Sequence, residues 1–155
     1  MFNETLIENL QNLAARVSPA RVTGPADPAL RRARVCYDHL AGEYGVALYD
    51  ALAEQGFIID QSEETVLTSE GKQWFTGAGV DFSAFKGRRP LCKSCLDWSE
   101  RRHHLAGVLG QWLLQDLLAR GWAHRLADSR VIEFSPAGLK AFTACYRIPL
   151  LTRCA

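Results

Sequence analysis

The sequence predicts an α+β fold, mainly helical, in which two pseudo-repeated units of the order helix, β-hairpin wing, helix pack together. Three observations carry that expectation. His39-Leu40-Ala41-Gly42, with Gly45, recurs as His104-Leu105-Ala106-Gly107, with Gly110. A Gly-aromatic pair follows each copy at the same distance, Gly56-Phe57 and Gly121-Trp122. Leu67-Thr68-Ser69-Glu70-Gly71 then has its counterpart in Phe134-Ser135-Pro136-Ala137-Gly138, and the approaches match too, Cys36-Tyr37-Asp38 with Cys95-Leu96-Asp97. Agreement in order and spacing over about forty positions marks an internal duplication.

The elements follow in order. Leu6, Leu10, Leu13 and Val17 lie on one side of an N-terminal helix within residues 1–17. Residues 18–27 form a linker, where Pro19, Gly24 and Pro25 oppose regular structure. The first unit spans residues 28–87. Asp27-Pro28 opens a basic helix through Arg31, Arg32 and Arg34. Leu40, Tyr44, Leu48, Ala51 and Leu52 recur at helical spacing until Gly56. Phe57-Ile58-Ile59 and Thr65-Val66-Leu67 are β-rich runs around a polar tip, a wing. Thr68 or Ser69 caps the next helix, which Gly77-Ala78-Gly79 ends, and a short helix covers Val80 to Phe85.

Gly87-Arg88-Arg89-Pro90 leads into the second unit, residues 88–155. Leu105, Leu109, Leu113, Leu117 and Leu118 repeat the helical spacing, with Gly121 at the end. Trp122-Ala123-His124 and Val131 to Phe134 form the second wing, and Ser135-Pro136 caps and starts the last helix. The units are winged-helix-like.

Composition narrows the function. Apolar residues make up 48% of the 155, enough to fill a core, so disorder is excluded. No apolar stretch spans a membrane and Met1-Phe2-Asn3-Glu4 is no secretory start, which predicts a cytoplasmic protein with no membrane partner. Net charge is +1, from 18 basic and 17 acidic residues, which argues against a complete DNA-reading surface. Five cysteines, kept reduced in that compartment, are read first as buried thiols.

Several residues carry candidate chemistry. Cys92-Lys93-Ser94-Cys95 is a CxxC, whose thiols Cys92 and Cys95 could chelate zinc with His103 or His104 nearby. A four-ligand site would need Cys36 or His39 from the other copy; packing or redox thiols are the alternatives, and the cofactor stays open between zinc and none. Asp97-Trp98-Ser99-Glu100-Arg101-Arg102 offers a stacking face in Trp98 and guanidiniums in Arg101 and Arg102 for a carboxylate or phosphate. Asp97 as a helix N-cap, with Glu100 closing a capping box, explains the same cluster without a ligand. His39 and His104 stand at equivalent helix starts, where a structural role is the simpler reading. Ala41-Gly42 and Ala106-Gly107 suggest close helix approach. Cys145 and Cys154 have no assigned part. The first wing tip carries Asp60, Glu63 and Glu64, which repel phosphates; Arg125 and Arg130 on the second are the DNA-contacting candidates, beside His124. No phosphate loop, nucleophile elbow or HExxH appears, so no enzyme is expected.

ARVCYDHLAG (Ala33 to Gly42), CLDWSERRHHLAG (Cys95 to Gly107) and LLARGW (Leu117 to Trp122) resemble the C-terminal region of a branch of ArsR-type transcriptional regulators. The likeness covers roughly Asp27 to Ala144. It implies a regulatory region that senses a small-molecule effector and forms a homodimer, with DNA held by an N-terminal winged-helix domain outside this chain. Residues 1–17 would be the tail of that domain's last helix. The effector-binding candidates are Cys36, Asp38, His39, Cys95, Asp97, Trp98, Arg101, Arg102 and His104. The cysteine-rich helix motif of the arsenic and cadmium sensors is absent, so the resemblance does not imply metal sensing. Two alternatives remain: a complete small winged-helix DNA-binding regulator, and a thiol- or zinc-based sensor using Cys92 and Cys95.

Overall fold

Why a chain with so regular a leucine spacing is not mainly helical is explained by two glycines. A computed structural model describes residues 24–62 and 64–149. The helix expected within residues 1–17, most of the linker, Glu63 and Cys154 lie outside the described residues. Among those described, only 43% are helical, and four two-stranded antiparallel sheets separate the helices. The mainly helical expectation is therefore corrected.

The first copy opens with α1 (Pro28–Arg32), a single turn capped by the Asp27 carboxylate on the Ala29 N–H at 2.9 Å. A hairpin follows, β1 (Arg34–Cys36) with β2 (His39–Ala41), then α2 (Glu43–Glu54). The expected wing is β3 (Ile58–Asp60) with β4 (Thr65–Leu67), and α3 (Ser69–Ala78) closes the copy. A 3-10 turn, Phe82–Ala84, stands where the short helix was expected. The second copy repeats the order: β5 (Lys93–Leu96) with β6 (His103–Ala106), α4 (Gly107–Ala119), β7 (Ala123–Arg125) with β8 (Ile132–Phe134), and α5 (Pro136–Tyr146). Each unit thus carries, before its long helix, a hairpin that the helix–wing–helix expectation lacked. His39 and His104 sit on strands and not at helix starts.

Gly42 and Gly107 make that break. They adopt φ of 84° and 83°, a region that side-chain-bearing residues avoid. A Cβ on Gly42 would lie 2.8 Å from the Arg31 carbonyl, and one on Gly107 2.8 Å from that of Pro90. A helix cannot run from Leu40 to Leu52 through such a residue, so the apolar run divides into a buried strand and a helix.

Packing between the copies is reciprocal. Helix α2 lies on β6, α4 lies on β2, and β2 borders β6. Gly45 of α2 faces the His104 Cβ, and Gly110 of α4 faces the His39 Cβ, at 3.5 and 3.4 Å from where their own Cβ would stand. Reciprocal contacts of this kind define an approximate twofold axis. The two copies share one core: Leu48 and Leu52 of α2, Leu109, Leu113 and Leu117 of α4, and Phe75 and Phe142 of the closing helices belong to a single buried cluster. Strand β1 also docks on the second wing, where the Val35 N–H donates to the Arg130 carbonyl at 2.9 Å and Ile132 N–H to Ala33 at 3.1 Å.

Thr68 and Ser135 cap α3 and α5, each hydroxyl accepting from an N–H three residues on, Gly71 at 3.0 Å and Gly138 at 2.9 Å. Near the end of α3, Gly77 faces open space with no left-handed φ. Gly77→Ala should therefore stabilise the fold by about 0.4–1 kcal/mol through the unfolded chain's lost freedom, read as a raised denaturation midpoint.

Candidate functional site

Within each leading hairpin the backbone register places a cysteine directly opposite a histidine. Cys36 pairs with His39 across β1 and β2, and Cys95 pairs with His104 across β5 and β6. Directly opposed residues on a sheet share a face. The reciprocal packing of β2 and β6 then brings the two pairs together. One ligating atom from each of Cys36, His39, Cys95 and His104 lies within 4.8 Å of every other.

Carboxylates orient both rings. The Nδ1 of His104 bonds Asp97 Oδ2 at 3.0 Å, and the Nδ1 of His39 bonds Asp38 Oδ1 at 3.2 Å. A carboxylate accepts only, so each Nδ1 carries a proton and each Nε2 is turned inward. The two Nε2 atoms are 3.0 Å apart. At that distance they share a proton, or a metal ion lies between them.

Asp97 anchors the arrangement. It lies in the β5–β6 connection, fully buried, and is not a helix N-cap as the sequence suggested. Its Oδ2 also accepts from the Gly42 N–H at 2.6 Å, tying the second hairpin to the first copy. Its Oδ1 accepts from Arg34 Nη2 at 3.1 Å, from the Ser99 hydroxyl at 2.7 Å, and from the N–H groups of Ser99 and Glu100. Burial opposes its ionisation most strongly. The bonds from His104, Gly42 and Ser99, with the Arg34 charge, overcome that and hold the carboxyl well below the usual carboxylate range. Asp38 is anchored more openly by Arg89, at 2.7 Å.

The thiols divide one charge. Hydrogen bonds from Cys95 first, then from His104 and His39, bring Cys36 far below the ordinary thiol range. Cys95 is pushed up, chiefly by its bond to Cys36 and then by burial. Burial alone would lower His104, but Asp97 and Cys36 together raise it. The cluster concentrates negative charge around two imidazoles.

Other sequence candidates lie elsewhere. Cys92 is outside the four-atom cluster; it is buried in the apolar core, and its thiol is pushed up to about 12 by that burial. Cys92 stands just before β5, and positions three apart on extended chain face opposite sides, so the CxxC spacing sends Cys92 away from Cys95. Trp98, Arg101 and Arg102 are exposed on the β5–β6 connection, and Arg102 pairs with Asp50 at 2.6 Å. Arg125 and Arg130 are exposed at the second wing tip, and Cys145 is exposed on α5. The signal for a combined four-residue set was the repeated Cys-x-Asp and His-Leu-Ala-Gly, each contributing one thiol and one imidazole.

A separate cleft of about 650 Å³ lies between α1, the start of α2 and the second wing. Arg31, Arg32, Glu43, Tyr44, Glu133 and Phe134 are among its walls.

Over 114 residues, 73% of its length, this chain is 41% identical to a curated relative named as a helix-turn-helix transcriptional regulator. That relative is the uncharacterized HTH-type transcriptional regulator YdfF of Bacillus subtilis (strain 168), and the chain spans about half its length, 50%. No family profile matches the chain, and no solved structure matches it. No helix among the described residues is long and apolar enough to cross a membrane.

Proposed function

We propose that this chain is the regulatory region of an ArsR-type transcriptional regulator, which senses an effector where its two copies meet and associates as a cytoplasmic homodimer. The observation that carries the proposal is the 41% identity with a helix-turn-helix regulator over half of that regulator's length. Operator reading falls to the other half. Charge supports this division. The first wing presents Asp60 and Glu64, and on the second His124 stands 3.7 Å from Glu133. The cleft suits an effector: its volume is that of small-molecule sites, and its walls come from both copies, with arginines from α1 beside an aromatic from α2.

Fluorescence anisotropy with DNA from the promoter of its own gene tests the proposal. We expect weak, salt-sensitive binding without sequence preference, with Kd of about 1–100 µM, and a dimer by sedimentation. Sequence-specific nanomolar binding by this chain alone would replace it with the complete-regulator reading, with Arg125 and Arg130 as the contacts to mutate.

A further inference from the structure

We propose that Cys36, His39, Cys95 and His104 form a tetrahedral Zn²⁺ site that clamps the two copies of the repeat together. The proposal stands on the cluster's geometry and does not rest on the regulator assignment.

Ligand chemistry comes first. Two cysteine sulfurs and two imidazole nitrogens are a donor set that suits Zn²⁺ and disfavours Mg²⁺ or Ca²⁺, which take oxygen. Size agrees. Bonds of about 2.0–2.3 Å in a tetrahedron give edges of about 3.3–3.8 Å. The four donor atoms lie within 4.8 Å of one another, and the Nε2 atoms, at 3.0 Å, need part only slightly.

Orientation is the more telling feature. Both histidines bind a carboxylate through Nδ1, which fixes the tautomer that leaves Nε2 free for a metal. The two Nε2 atoms converge at 3.0 Å on a point where a metal ion can take the place of a shared proton. Each carboxylate is held in turn by an arginine, Asp38 by Arg89 and Asp97 by Arg34.

The charges also close. Two thiolates and two carboxylates are matched by one dication and two guanidiniums. All four positions are filled by protein, so the site is a closed, structural one. Cys36 and Cys95 are only partly buried, which leaves a path for the ion. Bound zinc joins β1–β2 to β5–β6, far apart in sequence, and so stabilises the native pairing of the copies.

Protein purified without chelators should contain one zinc per chain by elemental analysis. Exchange for Co²⁺ should give visible ligand-field bands and a near-ultraviolet thiolate charge-transfer band. Cys36→Ser should lose both, while Cys145→Ser, outside the cluster, and Cys92→Ala should keep them. Should Cys36→Ser fail to fold, Asp38→Asn supplies a second measurement: it leaves every ligand in place and should weaken zinc affinity about 10–100-fold. Absence of zinc together with no cobalt spectrum would overturn the proposal. So would loss of zinc from a folded Cys92→Ala variant, unchanged affinity in Asp38→Asn, or a Cys36–Cys95 disulfide found by mass spectrometry in place of metal.

Discussion

Asp97→Ala should cost about 3–5 kcal/mol of folding stability, measured by chemical denaturation followed by circular dichroism. The size follows from what the carboxylate does. Removing it leaves Arg34, whose side chain is 6% exposed, as a buried charge without its ion-pair partner. It also strands the Gly42 N–H and the His104 Nδ1–H, both bonded to Oδ2. Three further donors in the β5–β6 connection lose their acceptor. A domain's whole stability is about 5–15 kcal/mol, so this one change removes a large share of it. Asp97→Asn keeps an acceptor but not the charge, and should fall between wild type and Asp97→Ala. An unchanged denaturation midpoint in Asp97→Ala would show that the carboxylate does not hold the copies together.

Gly110→Ala should cost about 1–3 kcal/mol, although alanine is ordinarily the better helix former. The new methyl group would press into the Leu105 carbonyl and come within 3.4 Å of the His39 Cβ. The first obstacle is backbone and cannot rotate away. Relief must come from moving α4 off the hairpins, which would also displace His39 from the cluster. Gly45→Ala should behave alike, since its Cβ would stand 2.5 Å from the Leu40 carbonyl and 3.5 Å from the His104 Cβ. The contrast with Gly77→Ala, expected to stabilise, separates glycines kept for space from one kept for none. Thermal melts of the three variants decide it, and a neutral Gly110→Ala would contradict the close approach.

The wings, the capped closing helices and the twofold recurrence of motifs were legible in the sequence because each has a local cause. Thr68, Ser135 and the glycines at 56 and 121 act on their immediate neighbours. The leading hairpins were not legible. Strands β2 and β6 are almost wholly buried, His39 to Ala41 and His104 to Ala106, so they show no alternation of polar and apolar residues. Leu40, Tyr44 and Leu48, like Leu105, Leu109 and Leu113, also fall on a helical period that runs straight through Gly42 or Gly107. Periodicity alone could not place the break. The same error made Asp97 a helix cap. The CxxC spacing suggested that Cys92 and Cys95 act as a pair, but on an extended chain they face opposite sides. The thiols that meet, Cys36 and Cys95, are brought together only by the packing of the two copies.

The exchanged packing, with each helix covering the hairpin of the other copy, has a consequence for the chain's ancestry. A single copy would leave one helix face and one hairpin uncovered, and a second identical copy related by a twofold axis would cover both. The chain has the form of such an intertwined pair joined by fusion of its genes. Fusion lifts the requirement that the halves be identical. The tight Tyr37-Asp38 turn of one hairpin could then drift from the long Asp97–Arg102 connection of the other. Buried Arg34 could likewise part from Lys93, its exposed counterpart.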